Sequence, residues 1–384
     1  MRRILIVGGG IGGLAAAVAL RLAGFEAVVF EQAPELREAG AGVGLWSNAM
    51  ASLDQLGAGR KVRGTCMPLR TIAVTNPEGK HLGAIKLDDL GPEFALAACF
   101  VALRPVLLAA LAELLPEASI HLNSRALKVE AEGGGVRLHL ANGRIEEGDV
   151  LVGADGLHSI VRPVVTGRDE IRYSGQTCFR AVAGIEPPEP GLLCEVQGTG
   201  QRGSVCPVNA GTVYWWAALN APLGKPIPVE QRKPFLRERY KGWPYGLERA
   251  IEATPEDGIL QNDLVDRPPA KLYAKGRIAL VGDAAHPTTP NLGQGVNMAI
   301  DDAIVLARCL RRFSSIPVAL DRYQRERLPR TRLLVQRSWM FGRMCLWRSG
   351  AAVRLREASL RLTPKTLSKN LLRWQILDSA GNLF

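Results

Sequence analysis

Three glycines with G-x-G-x-x-G spacing, Gly8, Gly10 and Gly13, are followed by an acid at Glu31, an arrangement suited to gripping a dinucleotide. Gly8 permits a tight strand-to-helix turn, Gly10 lets the backbone approach a pyrophosphate, and Gly13 lets the helix lie close on the strand. Gly12 completes the small-residue cradle. An acid about 20 residues beyond such a loop accepts hydrogen bonds from adenosine ribose hydroxyls. The elements these residues need are present. An apolar strand, Ile4 to Val7, runs into the glycines, a small-residue helix follows to about Ala23, and a second strand, Ala27 to Phe30, ends at Glu31. The helix N-terminus adds free N–H groups and partial positive charge for phosphates. The stretch does not specify which dinucleotide is held.

Two further stretches have the same strand-then-loop form. Asp149 to Gly153 reads as a buried strand leading into an Asp155-Gly156 turn, with Ser159 and Arg162 three apart, the spacing of one face of a short helix. Arg277 to Val281 is a third apolar strand, followed by Gly282-Asp283, a Pro/Gly loop through Pro290, and Gly293-Gln294-Gly295. A helix follows, with Val296, Ile300, Ala303, Ala307 and Leu310 at helical spacing. Its N-terminus suits an anionic group, whereas Asp283 would repel a phosphate and pairs better with a sugar hydroxyl.

Between these stretches, Gly40 to Gly44 reads as a loop with close backbone approach, and a helix is expected from about Ser47 to Leu56. Arg37 reaches a cofactor phosphate or is simply solvated. Leu69 to Lys86 is β-like around an Asn76-to-Gly79 turn, and Arg104-Pro105 opens a helix to Leu115. Ala126 to Glu130 and Val136 to Leu140 form a hairpin around Gly133 to Gly135. From about Tyr173 to Arg267 prolines, aromatics and alternating segments signal a smaller, mainly β unit. Within it Val213 to Trp216 sends neighbouring rings to opposite faces of a strand. One face lines a pocket, or all four side chains are core.

Composition narrows the class. The 384 residues are 47% hydrophobic and 22% charged, enough for two domains with substantial cores. Seven scattered cysteines without a C-x-x-C pair argue against a disulfide framework or zinc site, and the five histidines lack metal-ligand spacing. His121 and His139 fall in alternating strands at solvent-face positions. No run of about 20 uninterrupted apolar residues predicts a membrane-spanning helix. The glycines interrupt the N-terminal apolar run too early for a signal peptide, so a cytoplasmic setting is expected. From Arg322 onward there are fourteen basic residues and three acids, which accounts for the whole net charge of +11. That excess suits an anionic surface or a solvated helix and argues against a nucleic-acid-binding core.

Taken together, the three glycine stretches resemble the single-component, group A FAD-dependent monooxygenases related to para-hydroxybenzoate hydroxylase. The resemblance rests on G-x-G-x-x-G with Glu31, on Asp149 to Arg162, and on Gly282-Asp-Ala-Ala-His-Pro287 with Gly293-Gln-Gly295. It extends to Arg104, Tyr173 to Arg180 and Asp266-Arg267-Pro268, and spans Met1 to roughly Arg330. It implies an α/β fold: a discontinuous Rossmann-like FAD-binding domain (1–70, 97–170 and 270–325), a smaller, mainly β substrate domain (71–96 and 171–269) and a C-terminal helical segment (326–384). It implies FAD held by Gly8, Gly10, Gly12, Gly13, Glu31, Gln32, Arg37, Gly44, Arg104, Ala126, Asp155, Gly156, Asp283, Pro290, Gly293, Gln294, Gly295 and Val296.

NAD(P)H would visit transiently, since there is one full dinucleotide fingerprint. O₂ would be activated as a flavin C4a-hydroperoxide to hydroxylate or epoxidise a small aromatic or polyene-like substrate. Arg202 would bind an anion and Tyr214 would hydrogen-bond that substrate, with Arg180 a weaker candidate and His286 in a packing role. The same fold also serves an isoprenoid reductase or dehydrogenase, or a non-catalytic flavoprotein that stabilises an intermediate. The basic stretch carrying Trp339, Phe341, Met344, Leu346 and Trp347 is an interfacial helix at a membrane or an ordinary packing helix. A monomer and a dimer both remain open.

Overall fold

The computed structural model describes the chain apart from residues 37–40, 92–97, 133, 168–169, 378–379 and 384. Arg37 and Gly40 therefore lie outside the described residues. The chain opens with β1 (Arg3–Val7), α1 (Ile11–Leu22) and β2 (Glu26–Phe30), then β3 (Gly42–Leu45), α2 (Ser47–Leu56) and α3 (Gly59–Arg63). A hairpin of β4 (Thr71–Thr75) and β5 (His81–Lys86) precedes β6 (Phe100–Leu103) and α4 (Arg104–Ala112). Next come β7 (Ile120–His121), β8 (Ala126–Glu132), β9 (Gly135–Leu140), β10 (Ile145–Gly148), β11 (Val150–Gly153) and α5 (Arg162–Thr166). The β-rich stretch contains β12 (Arg172–Ala183), β13 (Leu192–Gln197), β14 (Gln201–Asn209) and β15 (Thr212–Asn220), then α6 (Val229–Arg239), α7 (Leu247–Ala253) and β16 (Leu260–Asp266). The last part runs through β17 (Ala274–Lys275), β18 (Ile278–Leu280), α8 (Gly295–Arg312), α9 (Ile316–Cys345), α10 (Gly350–Leu362) and α11 (Lys365–Ile376).

A six-stranded sheet ordered β17-β18-β11-β1-β2-β7 carries the glycine stretches. From β18 to β7 every pairing is parallel, and β17 adds an antiparallel edge. Burial on both faces explains why these strands read as continuous apolar runs rather than alternating ones. The chain order reverses around β1, so the crevice at the C-terminal ends of β1 and β11 is the topological switch point, where open α/β sheets take their ligands. Small residues let α1 and α8 approach closely there. A side chain on Gly12 would meet Ala299 Cβ at 3.3 Å, and one on Gly282 would meet the same atom at 3.1 Å.

A seven-stranded sheet, ordered β16-β12-β15-β14-β13-β4-β5, forms the second layer system. Alternation along β15 divides its aromatics. Val213 and Trp215 are fully buried with Phe179, Leu236, Tyr240 and Ile251 beneath α6 and α7, and Trp215 Nε1 donates to Thr254 Oγ1 at 2.8 Å. Tyr214 and Trp216 point to the other face and pack with Trp46, Leu69, Val101, Cys206 and Ile376. Trp215→Ala is therefore expected to cost about 3–5 kcal/mol of stability. Tyr214→Phe, on the opposite face, should cost about 1 kcal/mol or less; chemical denaturation of the two variants checks the assignment of faces.

The segment boundary drawn at 325/326 lies within α9, a single helix that passes Pro329. One expectation changes. Ser159 does not share a helix face with Arg162; it precedes α5 and caps it, its Oγ accepting the N–H of Arg162 at 2.8 Å and of Val161 at 3.1 Å. The stretch from Trp339 to Trp347 is tied to the protein at several points, while Met340 and Trp347 remain exposed. Arg172 lies over Trp339 at 3.8 Å, and the Leu346 and Trp347 carbonyls accept from Asn220 Nδ2 and Gly200 N. Among the histidines, His121 is half-buried and stacked on Phe30, while His139 meets Glu130 at 2.9 Å.

Candidate active site

Backbone bonds bring the three glycine stretches to one crevice. Gly8 N donates to Phe30 O at 2.9 Å, Ala154 N to Val7 O at 2.8 Å, and Val281 N to Gly153 O at 3.0 Å. Gly8 has φ +106°, and a side chain there would collide with the Ala154 carbonyl; a side chain on Gly13 would collide with the Gly8 carbonyl. Both positions thus require glycine. Gly10 caps α1, and its carbonyl takes the first intrahelical bond, from Leu14 N at 2.9 Å.

Glu31 holds this loop. Its Oε2 accepts the Gly9 N–H at 2.6 Å and its Oε1 the Ala33 N–H at 2.8 Å. A carboxylate offers about four lone-pair sites, so capacity for ribose hydroxyls remains. Gln32 beside it is exposed. Ser124 N donates to Glu31 O at 2.8 Å, which sets Ala126, the first residue of β8, next to this strand end.

Gly156 (φ +74°) turns the chain after Asp155, whose Oδ2 accepts the Ile160 N–H at 2.7 Å while Oδ1 is buried with no hydrogen-bond partner among the described residues. Burial pushes the Asp155 carboxyl above its ordinary value, against the bonds it accepts. Arg162, fully buried, ties this segment to the late turn by donating to the Ala284 and Ala285 carbonyls at 2.8 and 2.7 Å.

Beneath the Gly282 turn is a buried ionic group. Asp302 Oδ2 accepts from Gly282 N at 3.0 Å and faces His286 Nε2 at 2.6 Å, and Arg327 Nε donates to Oδ1 at 2.6 Å. Burial alone would raise the Asp302 carboxyl, but His286 and Arg327 outweigh it and hold the group below its usual range. A carboxyl depressed in the folded state contributes stability above its unfolded pKa of about 3.9 and loses it as pH falls through the folded value. Acid unfolding followed by circular dichroism is therefore expected to steepen below about pH 4, and Asp302→Asn should flatten that limb.

The turn presents Asp283 on the surface, its Oδ1 side toward Gly295, and Pro290 is likewise exposed. Gly293 takes the left-handed conformation (φ +61°) before Gln294 and Gly295. The first intrahelical bond of α8 runs from Met298 N to Gln294 O at 2.8 Å, so the N–H groups of Gly295, Val296 and Asn297 are not used within the helix. Asn297 fastens the loop to β3: Nδ2 donates to the Gly44 and Gly293 carbonyls at 2.9 and 2.8 Å, and Oδ1 accepts from Trp46 N at 2.8 Å. Arg104 N donates to Ala41 O at 3.0 Å, joining the start of α4 to the same strand.

Arg202 and Tyr214 share a sheet face but do not touch. Their cross-strand partners are Ala218 and Cys206, which puts them four residues, about 13 Å, apart along β15. Tyr214 lies against Gly42, where a side chain would collide with its ring. Burial holds the Tyr214 phenol well above its ordinary value, with nearby Cys178 adding to the effect, so it stays protonated. Arg202 is 2% exposed, bonded to Glu195 at 3.2 Å and to Asn291 Oδ1, with its guanidinium 5.2 Å from the Trp216 ring centroid. Arg180, also on this face, donates to Asn262 at 2.7 Å.

Sequence reasoning missed Glu195, Asn291, Trp46, Asn297 and Gln375. Asn291 and Asn297 lie within the third glycine stretch, where their amides were the available signal. Gln375, from α11, donates to Leu292 O at 3.0 Å while its own carbonyl accepts from Gln294 at 3.1 Å.

The glycine cradle, the acceptor on Asp155 Oδ1 and the open N-terminus of α8 fit a dinucleotide stretched along the crevice. The FAD binding domain family model matches residues 1–338. The chain is 37% identical over 360 residues to the aurachin C monooxygenase/isomerase of Stigmatella aurantiaca, covering 94% of each chain. It is 31% identical over 337 residues to the FAD-dependent urate hydroxylase of Klebsiella pneumoniae, covering 87% of this chain and 88% of that one. The crystal structure of Klebsiella pneumoniae HpxO complexed with FAD and uric acid superposes with a TM-score of 0.91 at 28% identity, covering 98% of this chain and 97% of that one. The chain belongs to the FAD-binding-domain family and is an FAD-dependent monooxygenase.

Proposed function

We propose that the protein oxygenates a small planar aromatic or polyene-like compound that carries an anionic or hydrogen-bond-accepting group, using NAD(P)H as transient co-substrate. The observation that carries this reading is the convergence on Ala299. Gly12 of the phosphate cradle and Gly282 of the late turn both abut this one residue, which sets two stretches distant in sequence side by side along a single crevice. Gly8, Gly10, Gly12, Gly13 and the α1 N-terminus would hold the pyrophosphate of FAD, with Glu31, Gln32 and Ala126 at the adenosine end. Arg104, Asp155, Gly156 and Asp283 would hold the middle. Gly44, Pro290 and Gly293 through Val296 would lie at the ring. Held by these residues, FAD would supply hydride acceptance from NAD(P)H and O₂ activation, one oxygen atom entering an electron-rich substrate and the other leaving as water.

The chain's own residues set the substrate's pose. Arg202, braced by Glu195 and Asn291, offers a cation at one end of the sheet face. Tyr214 offers a phenolic donor at the other, and Trp216 lies between them as an apolar floor. The inner face of α11, through Leu372 and Ile376, contributes apolar cover that keeps water from the site. Catalysis in the cytoplasm by a monomer or a dimer agrees with this reading.

Stopped-flow reduction by NADH and NADPH with a panel of quinolones, hydroxybenzoates, purines and polyenes tests it. A productive ligand accelerates NAD(P)H oxidation and gains one ¹⁸O atom from ¹⁸O₂. Product formed without O₂ would instead identify a dehydrogenase, and a ligand recovered unchanged a non-catalytic flavoprotein. Arg202→Leu is expected to raise KM for an anionic substrate by at least about tenfold, since a hydrogen bond to a charged group is worth about 1.5–3 kcal/mol. Steady-state kinetics measures it.

A further inference from the structure

Among the described residues, the outward faces of α10 and α11 carry four exposed leucines beside exposed cations. Leu355 is 64% exposed, Leu362 81%, Leu367 49% and Leu371 46%. Leu355 and Leu362 are two turns apart on α10, and Leu367 and Leu371 one turn apart on α11, so each pair shares a helix face. Thr363 and Pro364 are the whole connection between the helices. From Arg343 to Leu377 the chain carries eight basic residues and one acid, Glu357. Arg343, Arg348, Arg354, Arg361 and Lys365 are exposed. The inward sides are anchored: Arg356 is buried and donates to the Gly198 carbonyl at 3.0 Å, Ile376 is fully buried, and Lys369 pairs with Asp89 at 3.0 Å.

We infer that this face docks on an anionic membrane surface, with the leucines entering the headgroup boundary and the arginines and Lys365 meeting lipid phosphates. Exposed leucine flanked by cations is the composition of an interfacial helix, and anionic lipid supplies the missing counter-charge. Contact is peripheral, because among the described residues no helix is long and apolar enough to cross a membrane. A second copy of the chain is a poorer occupant, since a two-fold contact through this face brings two cationic clusters together with Glu357 the one acid of the segment. Nucleic acid would satisfy the cations but leave four leucines in water. Docking of this face depends on neither flavin nor substrate.

Sedimentation of the full-length protein with vesicles tests this surface. Wild type is expected to pellet with mixed phosphatidylglycerol–phosphatidylcholine vesicles, not with pure phosphatidylcholine, and to be released by high salt. Arg354→Glu/Arg361→Glu/Lys365→Glu should weaken partitioning at least about tenfold, and so should Leu355→Ser/Leu362→Ser/Leu367→Ser/Leu371→Ser. Both sets alter exposed residues, and unchanged thermal midpoints verify folding. Absence of wild-type partitioning overturns the inference, as does partitioning that survives either set. So does salt-sensitive binding to a DNA or RNA oligonucleotide unaffected by the leucine changes, or a dimer in ultracentrifugation that only those changes dissolve.

Discussion

Gly13→Val protein is expected to purify colourless or nearly so, with affinity for added FAD reduced ten- to a hundredfold. The new side chain would have to occupy the space of the Gly8 carbonyl, a backbone atom that cannot swing away as a flexible side chain would. The loop must open, and Gly8 must leave the bond it donates to Phe30. Overpacking of this kind costs about 1–3 kcal/mol, and each 1.4 kcal/mol is roughly tenfold in affinity. Gly83→Ala is the matched control, because Gly83 lies in β5 with nothing within 4 Å of the new methyl. Flavin absorbance per polypeptide, with titration of FAD quenching, distinguishes the two. Full flavin content in Gly13→Val would mean that the cradle is not the phosphate site.

Arg327→Leu is expected to destabilise the fold by about 3–5 kcal/mol, the usual consequence of leaving a buried charge without its partner. Arg327 reaches from α9 to Asp302 Oδ1 at 2.6 Å and to Met298 O at 3.1 Å, and both ionic side chains are almost completely buried. Asp302 also holds Gly282 N, so the damage extends to the turn that presents Asp283. Asp302→Asn in the Arg327→Leu background removes a buried charge that His286 alone would have to balance and should recover part of the loss. Urea denaturation of the three variants measures the coupling. Additive losses would show that the pair does not act as a unit.

What the sequence discloses follows from the range of the forces involved. β1, α1, β2 and the acid at Glu31 are legible because a buried parallel strand, a tight glycine turn and a close-packed helix each leave a local pattern. The late stretch from Gly282 to Val296 is legible for the same reason. Alternation in Val213 to Trp216 separates two faces, yet only packing decides that Trp215 joins the core under α6 and α7 while Tyr214 meets Gly42. The stacking of Arg172 over Trp339 joins residues more than 160 positions apart, and no local periodicity encodes that. Gln375 is a polar residue on a basic amphipathic helix until its amide meets Leu292 O across 83 positions. The boundary drawn near residue 326 has no local mark in the backbone, since α9 runs from Ile316 to Cys345 across it.

The central claim is one FAD per chain, lying between the cradle at Gly8 to Gly13 and the turn at Gly282. Equilibrium titration of flavin-stripped protein with FAD, read by fluorescence quenching, tests it most directly. One equivalent bound by wild type, with weaker binding in both Gly13→Val and a Gly282→Val partner variant, is the predicted result. Protein that stays colourless with excess FAD, or binding that ignores either substitution, would contradict it.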